Sequence, residues 1–150
     1  MSRFRILVAD QAEALFYDLS SLEAVPHEVL RISDPAAHLH DRDLVSDRPG
    51  RAYESVGGAR HAIEREADPR QRAAERFARR IARRLDESRR KGEFERLIVV
   101  AGPPFLGMLR GAMSRPTRSL VAHEIRKDLV HGPVGVLREH LAAVSHEEAA

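Results

Sequence analysis

Apolar and polar positions alternate in blocks along the chain, and each block predicts an element. Phe4-Arg5-Ile6-Leu7-Val8 is mostly apolar and reads as a central strand. Ala9 to Glu13 is a turn, and Ala14 to Leu19 returns as a second strand. Val25–Ile32 is a third, with Val25, Val29, Leu30 and Ile32 as its apolar members. Three consecutive strands on short links predict an antiparallel meander.

The pattern then changes. Residues 33–68 hold few apolar side chains and many Asp, Arg, Gly and Pro. A connection longer than about 12–15 residues with no element of its own is usually functional or disordered. A helix follows from Pro69 to Lys91. Asp68 is suited to its N-cap, Pro69 to its first position, and Gln71 to a capping-box pattern; Gly92 supplies the stop. Ala74, Phe77, Ala78, Ile81 and Leu85 share one face at i, i+3, i+4 spacing.

Arg96 to Ala101 is apolar on both faces, the signature of a buried strand parallel to a neighbour. Gly102-Pro103-Pro104 breaks it and opens a short helix, Phe105–Met113. Ser119–Ile125 is the last strand and Val134–Val144 the closing helix, with residues 145–150 expected to fray. The order β-β-β-α-β-α-β-α predicts one α/β domain over 1–150, a mixed sheet with an antiparallel meander and then β-α-β-α units. No internal repeat or low-complexity tract interrupts it.

Composition narrows the function classes. The 150 residues contain no Cys, which excludes disulfides, thiolate nucleophiles and Cys-ligated zinc. No apolar run approaches the roughly 18 residues of a membrane span, and Met1 to Val8 lacks the features of a secretory signal, so a cytoplasmic protein without a membrane partner is expected. The net charge is only +2, but 23 of the 25 cations are Arg, Lys91 and Lys127 being the exceptions.

The distribution of charge matters more than its sum. The helix over 69–91 carries nine Arg and Lys91 against Glu75, Asp86 and Glu87, a net +7, so the remainder of the chain carries −5. At about 100° per residue, Arg72, Arg76, Arg79, Arg83 and Arg90 fall within about 60° of arc, opposite the apolar face. Such a ridge suits a phosphate backbone, because each guanidinium fork binds phosphate oxygens and releases counterions. A solvated surface face is the plainer use of the same row. Aromatic residues make up 5% of the chain and none interleaves with the ridge, which disfavours base stacking and points to recognition of backbone and shape.

Asp41 to Arg51 holds three Asp and three Arg, so it can pair within itself or offer Arg42, Arg48 and Arg51 to an anion. Gly57-Gly58 ahead of Ala59, Arg60 and His61 permits close backbone approach to a partner, or marks a turn. Neither a Walker-type phosphate loop nor a Gly-x-Ser-x-Gly elbow occurs. His38 and His40 near Asp41 and Asp43 lack a third well-spaced ligand, so no metal and no cofactor are expected. The strand order invites comparison with ribonuclease-H-like nucleases, with Asp10 and Glu75 as carboxylates, but the fourth strand ends in Ala101-Gly102 where another carboxylate would be required.

Val8-Ala9-Asp10, the Asp41 to Arg51 segment, Gly57-Gly58, Glu75-Arg76-Phe77-Ala78, Leu97 to Gly107 and Lys127-Asp128-Leu129 resemble the bacterial host attachment proteins, across essentially the whole chain. That family is similar to the middle domain of archaeal and eukaryotic class-1 peptide-chain release factors, in which a Gly-Gly-Gln loop precedes a long helix beginning Arg-Phe-Ala-Arg. Here Gly57-Gly58-Ala59 precedes Arg76-Phe77-Ala78-Arg79 with a longer spacer, and Ala59 replaces the Gln associated with peptidyl-tRNA hydrolysis. The resemblance implies a non-catalytic protein that binds the ribosome or structured RNA, with host attachment affected indirectly through regulation. The binding residues expected are Arg42, Arg48, Arg51, Gly57, Gly58, Arg60, His61, Arg72, Arg76, Arg79 and Arg83, with no catalytic residue. Two rivals stand beside this reading: a hydrolase or nuclease using Asp10, Asp43, Asp47, His61 and Glu75, and a module that binds an acidic protein.

Overall fold

Both faces of Phe4–Ala9 (β1) are buried, and the strand occupies the middle of a five-stranded sheet. The computed structural model describes residues 3–35 and 68–149. Glu13–Leu19 (β2) pairs antiparallel with β1, and His27–Ser33 (β3) antiparallel with β2. Arg96–Val100 (β4) lies parallel to β1 on its other side, and Val121–Ile125 (β5) parallel to β4. The order is β3-β2-β1-β4-β5, so the meander and the parallel pairing expected from the sequence are both present.

Four helices are described: Pro69–Arg90 (α1), Phe105–Ala112 (α2), Arg115–Arg118 (α3) and Val134–Ala149 (α4). Side chains alternate across the strands, so the sheet has two apolar faces. Leu7, Phe16, Leu97 and Val99 pack against Phe77, Ile81 and Leu85 of α1 and Leu109 of α2. Ile6, Val8, Leu15, Ile98 and Val100 pack against Leu137, Leu141 and Val144 of α4. Each such large apolar side chain contributes about 1.5–3 kcal/mol on burial, which makes this layered packing the main support of α1 and α4. The rings of Phe77 and Phe105 stack at 6.2 Å between centroids and join α1 to α2.

The five apolar positions read on α1 are all buried, together with Ala73, Ala82 and Ser88. At its start Asp68 accepts from the backbone N–H of Arg70. The capping box does not form, because Gln71 donates instead to Glu75 one turn on. At its end Gly92 adopts φ +71°, its N–H bonds Arg89 and that of Glu93 bonds Ser88, which is a Schellman closure.

Three boundaries differ from the sequence expectation. Val25 precedes β3 and is exposed, as is Val29, because β3 is an edge strand with only part of one face covered. Residues 115–118 form α3, where Ser114 caps by accepting from the N–H of Thr117. The closing helix α4 runs past 144 to Ala149. Glu148 holds it, accepting from Arg96 at 3.0 Å and lying 2.7 Å from Nε2 of His123. The hydrogen bond from His123 is the largest influence and, helped by Arg96 against the opposing effect of burial, keeps the Glu148 carboxyl below its ordinary range. No helix among the described residues is long and apolar enough to cross a membrane.

Candidate nucleic-acid interface

The core packing of α1 decides which of its arginines face outward. With Phe77, Ile81 and Leu85 turned to the sheet, Arg72, Arg76, Arg79, Arg83 and Arg90 are all exposed. Arg72, Arg76, Arg79 and Arg83 make no side-chain hydrogen bond or ion pair among the described residues. The other arginines of the helix are engaged. Arg80 donates to the carbonyl of Ser33, Arg84 pairs with Glu87 at 3.5 Å, and Arg89 donates to the Thr117 hydroxyl at 3.0 Å. Arg90 lies beside Asp86 and helps hold that carboxyl charged.

Local electrostatics along the row are divided, since Glu75 stands four residues before Arg79 and Glu87 four after Arg83, while other neighbours are alike. Like charges at i, i+4, such as Arg72 with Arg76 and Arg79 with Arg83, each cost an isolated helix about 0.2–0.5 kcal/mol. The first turn itself has no acidic residue, and Asp68 at the N-cap is the carboxylate that complements the helix dipole there. A face selected for solubility alone would mix signs. A face that meets a polyanion gains from keeping them alike.

Beside the ridge, α1 and β3 enclose a hollow of 430 Å³. Arg31, Arg80, Arg83 and Arg84 line it, with Glu87. Arg31 is tied to Glu28 at 3.0 Å, and its hydrogen bond holds the Glu28 carboxyl below the usual range. The sequence could not assign Arg80 and Arg84 to a common wall with Arg31. They sit on the flank between ridge and apolar face, and only the sheet order shows that this flank faces β3.

A second concavity, of 450 Å³, lies at the carboxyl ends of β1 and β4 and is lined by Asp10, Gly102, Phe105, Asp128 and His131, among others. Asp10 Oδ1 is committed to the turn, accepting from the N–H groups of Ala12 and Glu13 at 2.8 Å each. His131 Nε2 stands 3.7 Å from Asp10 Oδ2 and 3.8 Å from Glu13 Oε2. Glu75, the second carboxylate of the nuclease comparison, does not line this concavity; it accepts from Gln71. Among the described residues no group of three or more His, Asp or Glu is arranged to hold a metal ion.

Arg42, Arg48, Arg51, Gly57, Gly58, Arg60 and His61 lie outside the described residues, as do His38, His40, Asp43, Asp47 and Ala59. Of the residues expected to bind nucleic acid, the structure therefore places Arg72, Arg76, Arg79 and Arg83, and places them on one exposed face.

A family model described as "Protein required for attachment to host cells" matches residues 5–141. The chain belongs to this family. The match takes in β1 from its second residue, the other four strands, α1 to α3 and the first half of α4. A comparison with the curated proteins gives no match. A solved structure described as "Archaeal protein" is 12% identical with a TM-score of 0.48; the likeness covers 98% of this chain and 38% of that one, so the host-attachment chain spans well under half of that protein's length.

Proposed function

We propose that this member of the host-attachment family is a non-catalytic RNA-binding protein that docks on the ribosome or on structured RNA, and that its link to attachment is indirect, through regulation. The observation that carries the reading is the row of Arg72, Arg76, Arg79 and Arg83, exposed on one face of α1 and without a carboxylate partner among the described residues. Guanidinium groups on a rigid helix bind phosphate oxygens at low conformational cost and gain free energy from counterion release. The residues resembling a release-factor middle domain support the choice of RNA, and Ala59 in place of Gln supports binding without peptide release.

Co-sedimentation with ribosomes tests it. The protein pellets with them at low salt and leaves them at high salt. The double variant Arg76→Glu with Arg83→Glu stays in the supernatant under both conditions. Salt-independent pelleting, or wild-type pelleting of the double variant, overturns the proposal.

A further inference from the structure

The ridge is convex and suits a continuous backbone. The hollow beside it is concave, and its cations come from two elements: Arg31 on β3, and Arg80, Arg83 and Arg84 on α1. We propose that this hollow binds a phosphomonoester, the terminal phosphate of an RNA strand or of a small phosphorylated molecule. The RNA source rests on the reading given above; the phosphate site does not.

Three features carry the inference. First, Arg31, Arg80, Arg83 and Arg84 line the hollow with Glu87; Arg31 is already held by Glu28 at 3.0 Å and Glu13 at 3.7 Å, so the cations open to a ligand are the three of α1. Second, the donors of the three α1 arginines are only partly used. Arg83 has no partner among the described residues, Arg80 makes one bond to the Ser33 carbonyl at 3.2 Å, and Arg84 holds Glu87 only at 3.5 Å. Each guanidinium carries five N–H donors, so most remain available to oxygen acceptors. Third, the charge fits a terminal group better than a chain. A phosphomonoester carries about −1.5 to −2 at neutral pH and offers three strong acceptor oxygens, whereas an internal diester carries a single charge. A concave wall carrying three cations favours the denser anion, and α1 holds Arg80, Arg83 and Arg84 in fixed register.

The ridge and the hollow share Arg83, so a strand lying along Arg72, Arg76 and Arg79 can turn its end into the hollow. The two sites remain separable by mutation. Arg84 is exposed and lies outside the ridge, so Arg84→Gln tests the hollow alone; Arg72→Glu with Arg79→Glu tests the ridge alone.

The experiment uses the full chain and two short RNA oligonucleotides of one sequence, one with a 5′-phosphate and one with a 5′-hydroxyl, together with inorganic phosphate and pyrophosphate as probes. The 5′-phosphorylated strand binds about tenfold more tightly, the effect of one or two charge-assisted hydrogen bonds. Arg84→Gln, and independently Arg83→Gln, removes that ratio and weakens pyrophosphate binding, with melting temperature as the control for folding. Arg72→Glu with Arg79→Glu weakens both strands and leaves the ratio intact. If neither strand binds but pyrophosphate binds wild type and not Arg84→Gln, the site stands with a small phosphorylated ligand and the RNA reading falls. If both strands bind equally, and phosphate and pyrophosphate bind no less to Arg83→Gln and Arg84→Gln than to wild type, the proposal is overturned.

Discussion

Arg80 donates from Nη1 to the main-chain carbonyl of Ser33 at 3.2 Å, tying the middle of the basic helix to the last residue of β3. The bond closes one side of the hollow and satisfies a carbonyl at the sheet edge. Arg80→Ala is expected to cost about 0.5–1.5 kcal/mol, the net value of such a bond, since the site is exposed. Hydrogen exchange checks it: the amides at the end of β3 exchange faster, while those of β1 and β4 keep their protection.

The ridge predicts a salt dependence. If Arg72, Arg76, Arg79 and Arg83 each neutralise one phosphate, the logarithm of the RNA association constant falls against the logarithm of salt with a slope of about −3. Each Arg→Ala change on the ridge reduces the slope by about one. Fluorescence anisotropy titrations between low and moderate salt measure it, and a slope near zero for wild type would refute phosphate contact.

Asp86 predicts a loss of stability in acid. Its burial opposes the charged form, but hydroxyl hydrogens from Thr117 and Ser114, with Arg89 and Arg90 nearby, outweigh this and hold its carboxyl below the ordinary range. A carboxyl lowered on folding contributes stability that is present above its unfolded pKa of about 3.9 and lost as pH falls through the folded value. Denaturant unfolding below about pH 4 should therefore show a steeper loss for wild type than for Asp86→Asn, which has no charge to lose. Parallel curves would remove Asp86 from the acid response.

Gly92 sits at φ +71° with open space around the position a Cβ would take. The penalty for Ala there is conformational and not a clash. Gly92→Ala is expected to lower stability by about 1–2 kcal/mol, and Gly92→Asn by less, because Asn adopts the left-handed region more readily. Thermal unfolding of the two variants ranks them.

Arg5 predicts the cost of breaking a half-buried pair. Its guanidinium is buried on the α1 side of the sheet, 2.5 Å from Asp18, with Ser88 and the ring of Phe94 also in contact. Asp18 is substantially exposed, so its own loss is cushioned by water, but Asp18→Ala leaves the buried cation with Glu93 at 3.6 Å as its nearest anion. A loss of about 1–3 kcal/mol is expected by denaturant titration.

Legibility followed locality. The strand β1, the meander and the buried face of α1 were plain in the sequence, because each is written as a period of 2 or 3.6 within a few residues. The outward direction of Arg72, Arg76, Arg79 and Arg83 follows from the same period. The persistence of α4 to Ala149 was not legible, because Glu148 finds Arg96 and His123 from distant parts of the chain. Short α3 escaped for the same reason: its Thr117 is fixed by Asp86 and Arg89 of α1.

The sequence by itself determined the five strands, α1, α2 and the first part of α4, the charge asymmetry between α1 and the rest, and the face of α1 on which its arginines align, since local periodicity and burial preference suffice for these. Tertiary structure decided which arginines of α1 bond to other described elements, and it set Arg31 opposite Arg80 and Arg84. Those outcomes depend on β3 lying at the sheet edge beside α1, a pairing between segments about fifty residues apart that no local pattern encodes.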